Sequence, residues 1–196
     1  MTSDVNLMSE ALTRDGRLIL LLGGARGGKS AYALKLVRDR ERTFGDEVCF
    51  IATAEGLDED MNARIARHRT ERPTHWRSIE EPYQIDEALQ KANDAGIVIV
   101  DCLTLFVSNC LMRHENEHEC EQFVRRTTRK FLGLAQARQQ MVICVSNEVG
   151  LGIVPDTLMG RVFRDLLGRV NQDFAAAADE VYLLVAGLSL QLKPTA

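Results

Sequence analysis

Four stretches of the chain are dominated by apolar residues: "RLILLL" (17–22), "EVCFIAT" (47–53), "GIVIVDC" (96–102) and "MVICVSN" (141–147). None alternates between apolar and polar positions. That is the pattern of strands buried on both faces, as in a parallel sheet. Helical spacing fills the intervals. It runs from the loop after the first strand to about Arg42, and over 58–69, 83–93, 103–113, 119–138 and 156–178. Asp58 is placed to cap the second of these helices, and Pro73 lies just past its end. "HWRSIE" (75–80) reads as a short strand, and "EVYLLVAG" and "LSLQLK" as a closing strand pair at the sheet edge. Strands alternating with helices predict a mainly parallel α/β sheet with right-handed crossovers. The pattern predicts a flexible tail over 1–16 and a single domain over 17–196.

The first strand runs into Gly23-Gly24-Ala25-Arg26-Gly27-Gly28-Lys29-Ser30, which fits G-x-x-x-x-G-K-[ST]. Glycines let successive backbone N–H groups curl around phosphate oxygens without a Cβ clash. The helix that follows turns its positive end toward the anion. Lys29 is expected at the β- and γ-phosphates, and Ser30 as a ligand of Mg²⁺. A glycine-rich turn alone would not explain Lys-Ser at this spacing. The expected fold class is therefore α/β, a P-loop NTPase-like three-layer fold with a mainly parallel sheet and a short closing strand pair. Asp101 ends "IVIVD", where a carboxylate holds Mg²⁺ directly or through water. Capping the next helix is the other role such an Asp can take. Asn147 and Glu148 stand at the carboxyl end of the fourth apolar run, where polar residues of α/β sheets face ligands. A loop shaped by Gly150 and Gly152 is the alternative there.

Composition narrows the partners. With 45% hydrophobic and 27% charged residues over 196 positions, the chain is an ordinary globular domain, and its net charge of −4 argues against a general nucleic-acid binder. No apolar run is long enough to span a bilayer, so stable membrane insertion is not expected. Cys49, Cys102, Cys110, Cys120 and Cys144 are odd in number and scattered, with no CxxC pair, which fits a reducing, cytoplasmic setting. "HENEH" (114–118) matches H-E-x-x-H, but its polar surroundings suit a solvated linker better than a packed zinc helix. His75 and Trp76 suit either ligand stacking or core packing.

"MNARIARHRTERPTHW" (61–76) surrounds His68 with Arg64, Arg67, Arg69 and Arg72. Met61, Ile65 and His68 share one helix face, so a core histidine is one reading. The cations favour another. They would hold the imidazole neutral by like-charge repulsion, and a neutral imidazole can attack the α-phosphorus of a nucleoside triphosphate while arginines stabilise the developing charge.

At this point the chain resembles the bifunctional adenosylcobinamide kinase / adenosylcobinamide-phosphate guanylyltransferase family of cobalamin biosynthesis. The matching stretches are "GGARGGKS", "FIATAEGLDEDMNARIARHRTERPTHWRSIEEP", "SNEVGLGIVP" and "GRVNQDFAAAADEVYLLVAG". They cover most of 17–192 in order, and the last three are specific to the family. The resemblance implies phosphorylation of adenosylcobinamide with ATP or GTP, then transfer of GMP from GTP to the resulting phosphate. It implies a covalent GMP–histidine at His68. It also implies guanine-nucleotide contacts at the P-loop, at Ala52, Thr53 and Ala54, at Arg69, Thr70, Glu71 and Arg72, and at Asp101. A homotrimer is implied as well. The chain departs from the family in three places. Gly27 stands where many members carry serine, Arg67 where some carry a first histidine, and Asp101 where some carry glutamate.

Three rival functions follow from the same residues: a P-loop kinase for another small alcohol, a non-catalytic nucleotide-dependent switch, and an RNA binder using Arg64 to Arg72. A switch would cycle nucleotide without needing cobinamide. RNA affinity would fall steeply with salt.

Overall fold

The computed structural model describes residues 16–56, 59–70 and 72–194. The side chains of Asp60, Met61, Arg64, Arg67 and His68 lie outside the described residues, as do residues 1–15, Asp58 and Glu71. The expectations of an N-terminal tail, of an Asp58 cap and of a Glu71 contact therefore fall outside the description.

The apolar runs become β1 (Arg17–Gly23), β2 (Val48–Ala52), β4 (Ile97–Asp101) and β5 (Met141–Val145). The short strand β3 spans Arg77–Glu80, and the C-terminal strands are β6 (Glu180–Val185) and β7 (Leu188–Lys193). The helices are α1 (Lys29–Phe44), α2 (Glu59–Thr70), α3 (Ile85–Lys91), α4 (Leu103–Arg113), α5 (Glu117–Gln136) and α6 (Leu158–Ala177). One seven-stranded sheet results, in the order β3-β2-β4-β5-β1-β6-β7.

Both faces of the sheet are covered because the central strands are apolar at successive positions, Leu18 to Leu22, Val48 to Ala52, Ile97 to Val100 and Met141 to Val145. Leu18, Leu20, Cys49, Ile51, Val98, Val100, Val142 and Cys144 pack into one cluster with residues of α3, α4, α5 and α6. The alternate residues Ile19, Leu21, Phe50, Ile97, Ile99 and Ile143 pack on the opposite side with Ala33 and Val37 of α1 and with Trp76. Each such aliphatic side chain contributes about 1.5–3 kcal/mol on full burial, so these runs form the stable floor of the fold.

The C-terminal strands close one edge of the sheet as a pair, as expected: β6 pairs in parallel with β1, and β7 pairs antiparallel with β6 as the outermost strand. The α6-to-β6 connection returns the chain beside β1, as "EVYLLVAG" is apolar enough to allow. The "HENEH" segment lies largely between helices, with α4 ending at Arg113 and α5 beginning at Glu117. Asn116 caps it, its side chain accepting from the N–H groups of His118 (2.9 Å) and Glu119 (3.3 Å). His114 Nδ1 meets the Cys110 carbonyl at 2.8 Å, whereas His118 Nε2 meets Gln122. Trp76 is buried and donates from Nε1 to Glu41 at 2.9 Å, which makes it a core residue.

Candidate active site

The register of the sheet lines up the carboxyl ends of its strands. Ala52 is paired with Glu80 on one side and with Asp101 on the other; Asp101 is paired with Val145, and Val145 with Leu21. Two residues after Leu21 the chain enters the glycine loop. Glu80, Asp101 and the loop thus share one edge of the sheet, where α/β folds bind ligands.

The loop is shaped by its own backbone. Gly28, at φ 99°, is the N-cap of α1, and a Cβ there would come within 2.9 Å of the Gly187 Cα. The β6–β7 turn is therefore pressed against the loop, with Gly187 N–H donating to the Gly27 carbonyl at 3.0 Å. Lys29 is buried, and Nζ donates to the carbonyls of Gly23 (2.9 Å) and Gly24 (2.8 Å). Burial pushes its ammonium pKa down, opposed by the charges of Cys102 and Asp101. Since burial holds the Cys102 thiol up at about 12, Asp101 is the counter-charge that acts at neutral pH. Ser30 Oγ stands 3.4 Å from Asp101 Oδ2. Hydroxyl and carboxylate oxygens are the hard donors that suit Mg²⁺, so the pair fits the expected metal ligands.

Thr53 is fully buried. Its hydroxyl donates to the Cys102 carbonyl and accepts from the Cys102 N–H, both at 2.7 Å. This clamps the end of β2 to the end of β4, so the Thr53 side chain positions Asp101. Ala52 is also buried, and Ala54 is the half-buried member of the trio. Asn109 on α4 donates to the Thr53 carbonyl at 2.7 Å and holds the same segment from below.

Arg69, in the last turn of α2, and Arg72, just after it, converge on Glu80. Its Oε1 lies 3.2 Å from Arg69 and 3.7 Å from Arg72. The Arg72 guanidinium sits 3.8 Å above the Phe50 ring, and its buried Nε has no hydrogen-bond partner. Burial lowers the Arg72 pKa, against the pull of Glu80 and Asp101. A buried, unpaired guanidinium donor next to solvent-accessible cations is a ready anion contact. Through Arg69, the end of α2 is tied to the carboxyl end of β3, which brings the backbone at His68 to the same edge. Arg26 and Thr70 are exposed.

Glu80 was not among the expected site residues. Its signal was its place, as the last residue of a strand paired in parallel with β2. Thr104 was likewise missed: its hydroxyl accepts the Asn147 N–H at 2.7 Å. The Asn147 carbonyl accepts from Asn171 (3.0 Å), and Glu148 N–H donates to the Gly23 carbonyl at 3.2 Å. The loop after β5 is therefore fastened to the phosphate loop, as its strand-end position predicts. The Glu148 carboxylate turns back to accept from Gly150 N–H at 2.6 Å.

Comparison with known proteins bears on the fold and on the family. The flagellar accessory protein FlaH from Methanocaldococcus jannaschii superposes with a TM-score of 0.51 at 15% identity, covering 92% of this chain and 80% of that one. That likeness concerns the fold alone. The chain is 38% identical over 185 residues to the bifunctional adenosylcobalamin biosynthesis protein CobU of Escherichia coli (strain K12), spanning 90% of this chain and 99% of that protein. It is 39% identical over 186 residues to the protein of the same name from Salmonella typhimurium, with 90% and 99% covered. Against the bifunctional adenosylcobalamin biosynthesis protein CobP of Pseudomonas aeruginosa it is 39% identical over 175 residues, with 89% and 96% covered. The family model for cobinamide kinase / cobinamide phosphate guanyltransferase matches residues 19–192, and the chain belongs to that family.

Proposed function

We propose that the protein phosphorylates adenosylcobinamide with ATP or GTP and then transfers GMP from GTP onto the phosphate, giving adenosylcobinamide-GDP. The observation that carries this reading is the glycine loop closed on Lys29 beside the Ser30–Asp101 pair, at one sheet edge with Arg69, Arg72 and Glu80. In the first step the substrate hydroxyl oxygen attacks the γ-phosphorus. The bond to the β-phosphate oxygen breaks, the nucleoside diphosphate leaves, and the hydroxyl proton passes to solvent. Loop N–H groups and Lys29 stabilise the charge on the phosphates. Ser30 and Asp101 would hold Mg²⁺, which would supply neutralisation of the triphosphate's negative charge.

In the second step the neutral imidazole of His68 attacks the α-phosphorus of GTP and pyrophosphate leaves. The substrate phosphate oxygen then attacks that phosphorus, and the N–P bond breaks to restore the histidine. The unpaired Nε of Arg72 supports a nucleotide-phosphate contact there. Nucleotide contacts at Gly23 to Ser30, at Ala52 to Ala54 and at Arg69 to Arg72 belong to the same reading. So does a homotrimer, which the exposed apolar side chains Leu188, Leu190 and Leu192 on edge strand β7 favour. Five free thiols, four of them buried, favour a cytoplasmic setting.

The test is incubation with adenosylcobinamide, Mg²⁺ and GTP, with the corrinoid products separated by chromatography. A phosphorylated and then a guanylylated corrinoid are expected. Nucleotide hydrolysis with no modified corrinoid would support the switch instead. Asp101→Asn is expected to raise the Mg²⁺ concentration needed for half-maximal rate by roughly tenfold or more, because an amide is a poor ligand for a hard cation. A Mg²⁺ titration that overlays wild type would reassign Asp101 to helix capping.

A further inference from the structure

The nine residues 151–159 carry Leu151, Ile153, Val154, Leu158 and Met159 with 86%, 96%, 60%, 67% and 57% of their surfaces exposed. Scattered exposed apolar residues are ordinary, but this density over one loop and the first turn of α6 is not. The loop is also built. Val149 packs against the core at its start. Thr157 Oγ1 accepts from Gly160 N–H at 3.1 Å, and Arg161 donates to the carbonyls of Pro155 (3.0 Å) and Asp156 (2.9 Å). The stretch is thus anchored at both ends, at Val149 and at Pro155 to Arg161, with its apolar side chains exposed between and beside these points.

Position says what they meet. β5 lies between β1, which leads into the phosphate loop, and β4, which ends in Asp101. The chain leaving β5 passes between those two parts of the site, and Glu148 N–H is bonded to the Gly23 carbonyl only three residues before Leu151. An acceptor hydroxyl must approach the γ-phosphorus in line with the leaving oxygen, so the body of the acceptor has to rest close to this exit. Cobinamide is a macrocycle edged with methyl groups and neutral amide arms, and its reacting hydroxyl sits on one short arm. Such a molecule needs apolar surface beside the phosphates, where binding of the non-reacting part can hold the arm in place.

We propose that Leu151, Ile153 and Val154 form the apolar wall on which the corrin macrocycle rests during phosphorylation. The inference depends on the proposed function and adds the location of its acceptor. The other occupant that such a face could have is a second copy of the chain.

Equilibrium dialysis of cobinamide, read by corrin absorbance, separates these readings. The double variant Ile153→Ser/Val154→Ser is expected to bind cobinamide about tenfold or more weakly. Its GTP binding and sedimentation should be unchanged, because both side chains stand clear of the core. Ile153→Leu/Val154→Leu should retain wild-type binding. Unaltered cobinamide affinity in the serine variant would overturn the proposal. So would a loss of affinity accompanied by a lower sedimentation mass, which marks a seam between copies. Should wild type itself retain no cobinamide, the proposed function falls and the wall falls with it; retention by wild type and serine variant alike removes the wall alone.

Discussion

His68→Ala is expected to abolish GMP transfer and protein-bound GMP while sparing most of the phosphorylation of cobinamide. The two half-reactions ask different things of the protein. Transfer of the γ-phosphoryl group needs positioning and charge neutralisation, which the loop and Lys29 provide without a covalent intermediate. Guanylylation through the enzyme needs a neutral nitrogen nucleophile, and alanine has none. Arg67, the adjacent residue, cannot take over, because a guanidinium stays protonated and has no free lone pair. The measurement is a trap with GTP labelled at the α-phosphate, followed by denaturation and peptide mapping. Wild type should hold a label that is lost in acid and stable in alkali, as an N–P bond is, and the variant should hold none. Label retained by the variant, or mapped to Ser30, would leave His68 as a binding or packing residue. Cobinamide phosphorylation, assayed separately, guards against a variant that has merely unfolded.

Lys29→Ala is expected to lower both half-reactions by about 100-fold or more, the usual cost of removing one preorganised charge contact from a transition state. The fold should survive the change. Each carbonyl that Lys29 engages keeps a backbone donor: Gly23 O still receives Glu148 N–H at 3.2 Å, and Gly24 O still receives Gly27 N–H at 3.1 Å. No buried acceptor is orphaned, and a cation whose burial is itself unfavourable is removed. The thermal midpoint should therefore move by no more than about 4 °C, the equivalent of roughly 1 kcal/mol in a domain of this size. Rates near wild type with a normal midpoint would take the glycine loop out of the mechanism. A collapse of the midpoint would recast Lys29 as a structural tie between the loop and α1.

The central strands were legible because burial on both faces leaves a mark at every position: four consecutive core-facing choices in each of Leu18 to Leu21 and Ile97 to Val100 admit no polar residue. The phosphate loop was legible for a related reason. Its chemistry is local, carried by adjacent backbone N–H groups and one lysine, so the motif and the site are the same stretch of chain. Where the reading stopped short, the deciding contact was distant in sequence. The parallel pairing of β6 with β1, some 160 positions away, is not written in "EVYLLVAG". Glu80 went unnoticed because its partners, Arg69 and Arg72, belong to a different element.

By itself, then, the sequence determined the strands, the phosphate loop, the composition of the arginine-rich helix and the family. Each of these is written in short-range spacing or in side-chain types that one environment demands. Only the tertiary structure decided which groups act on one another. The register of β3, β2, β4, β5 and β1 set Glu80 and Asp101 on one edge with the phosphate loop. The clamp of Thr53 on the Cys102 backbone joined the end of β2 to the end of β4. Packing placed Trp76 in the core and put the loop after β5 against Gly23. These are long-range choices, made by strand register and by where buried hydrogen-bonding groups find partners, and a linear pattern carries no record of either.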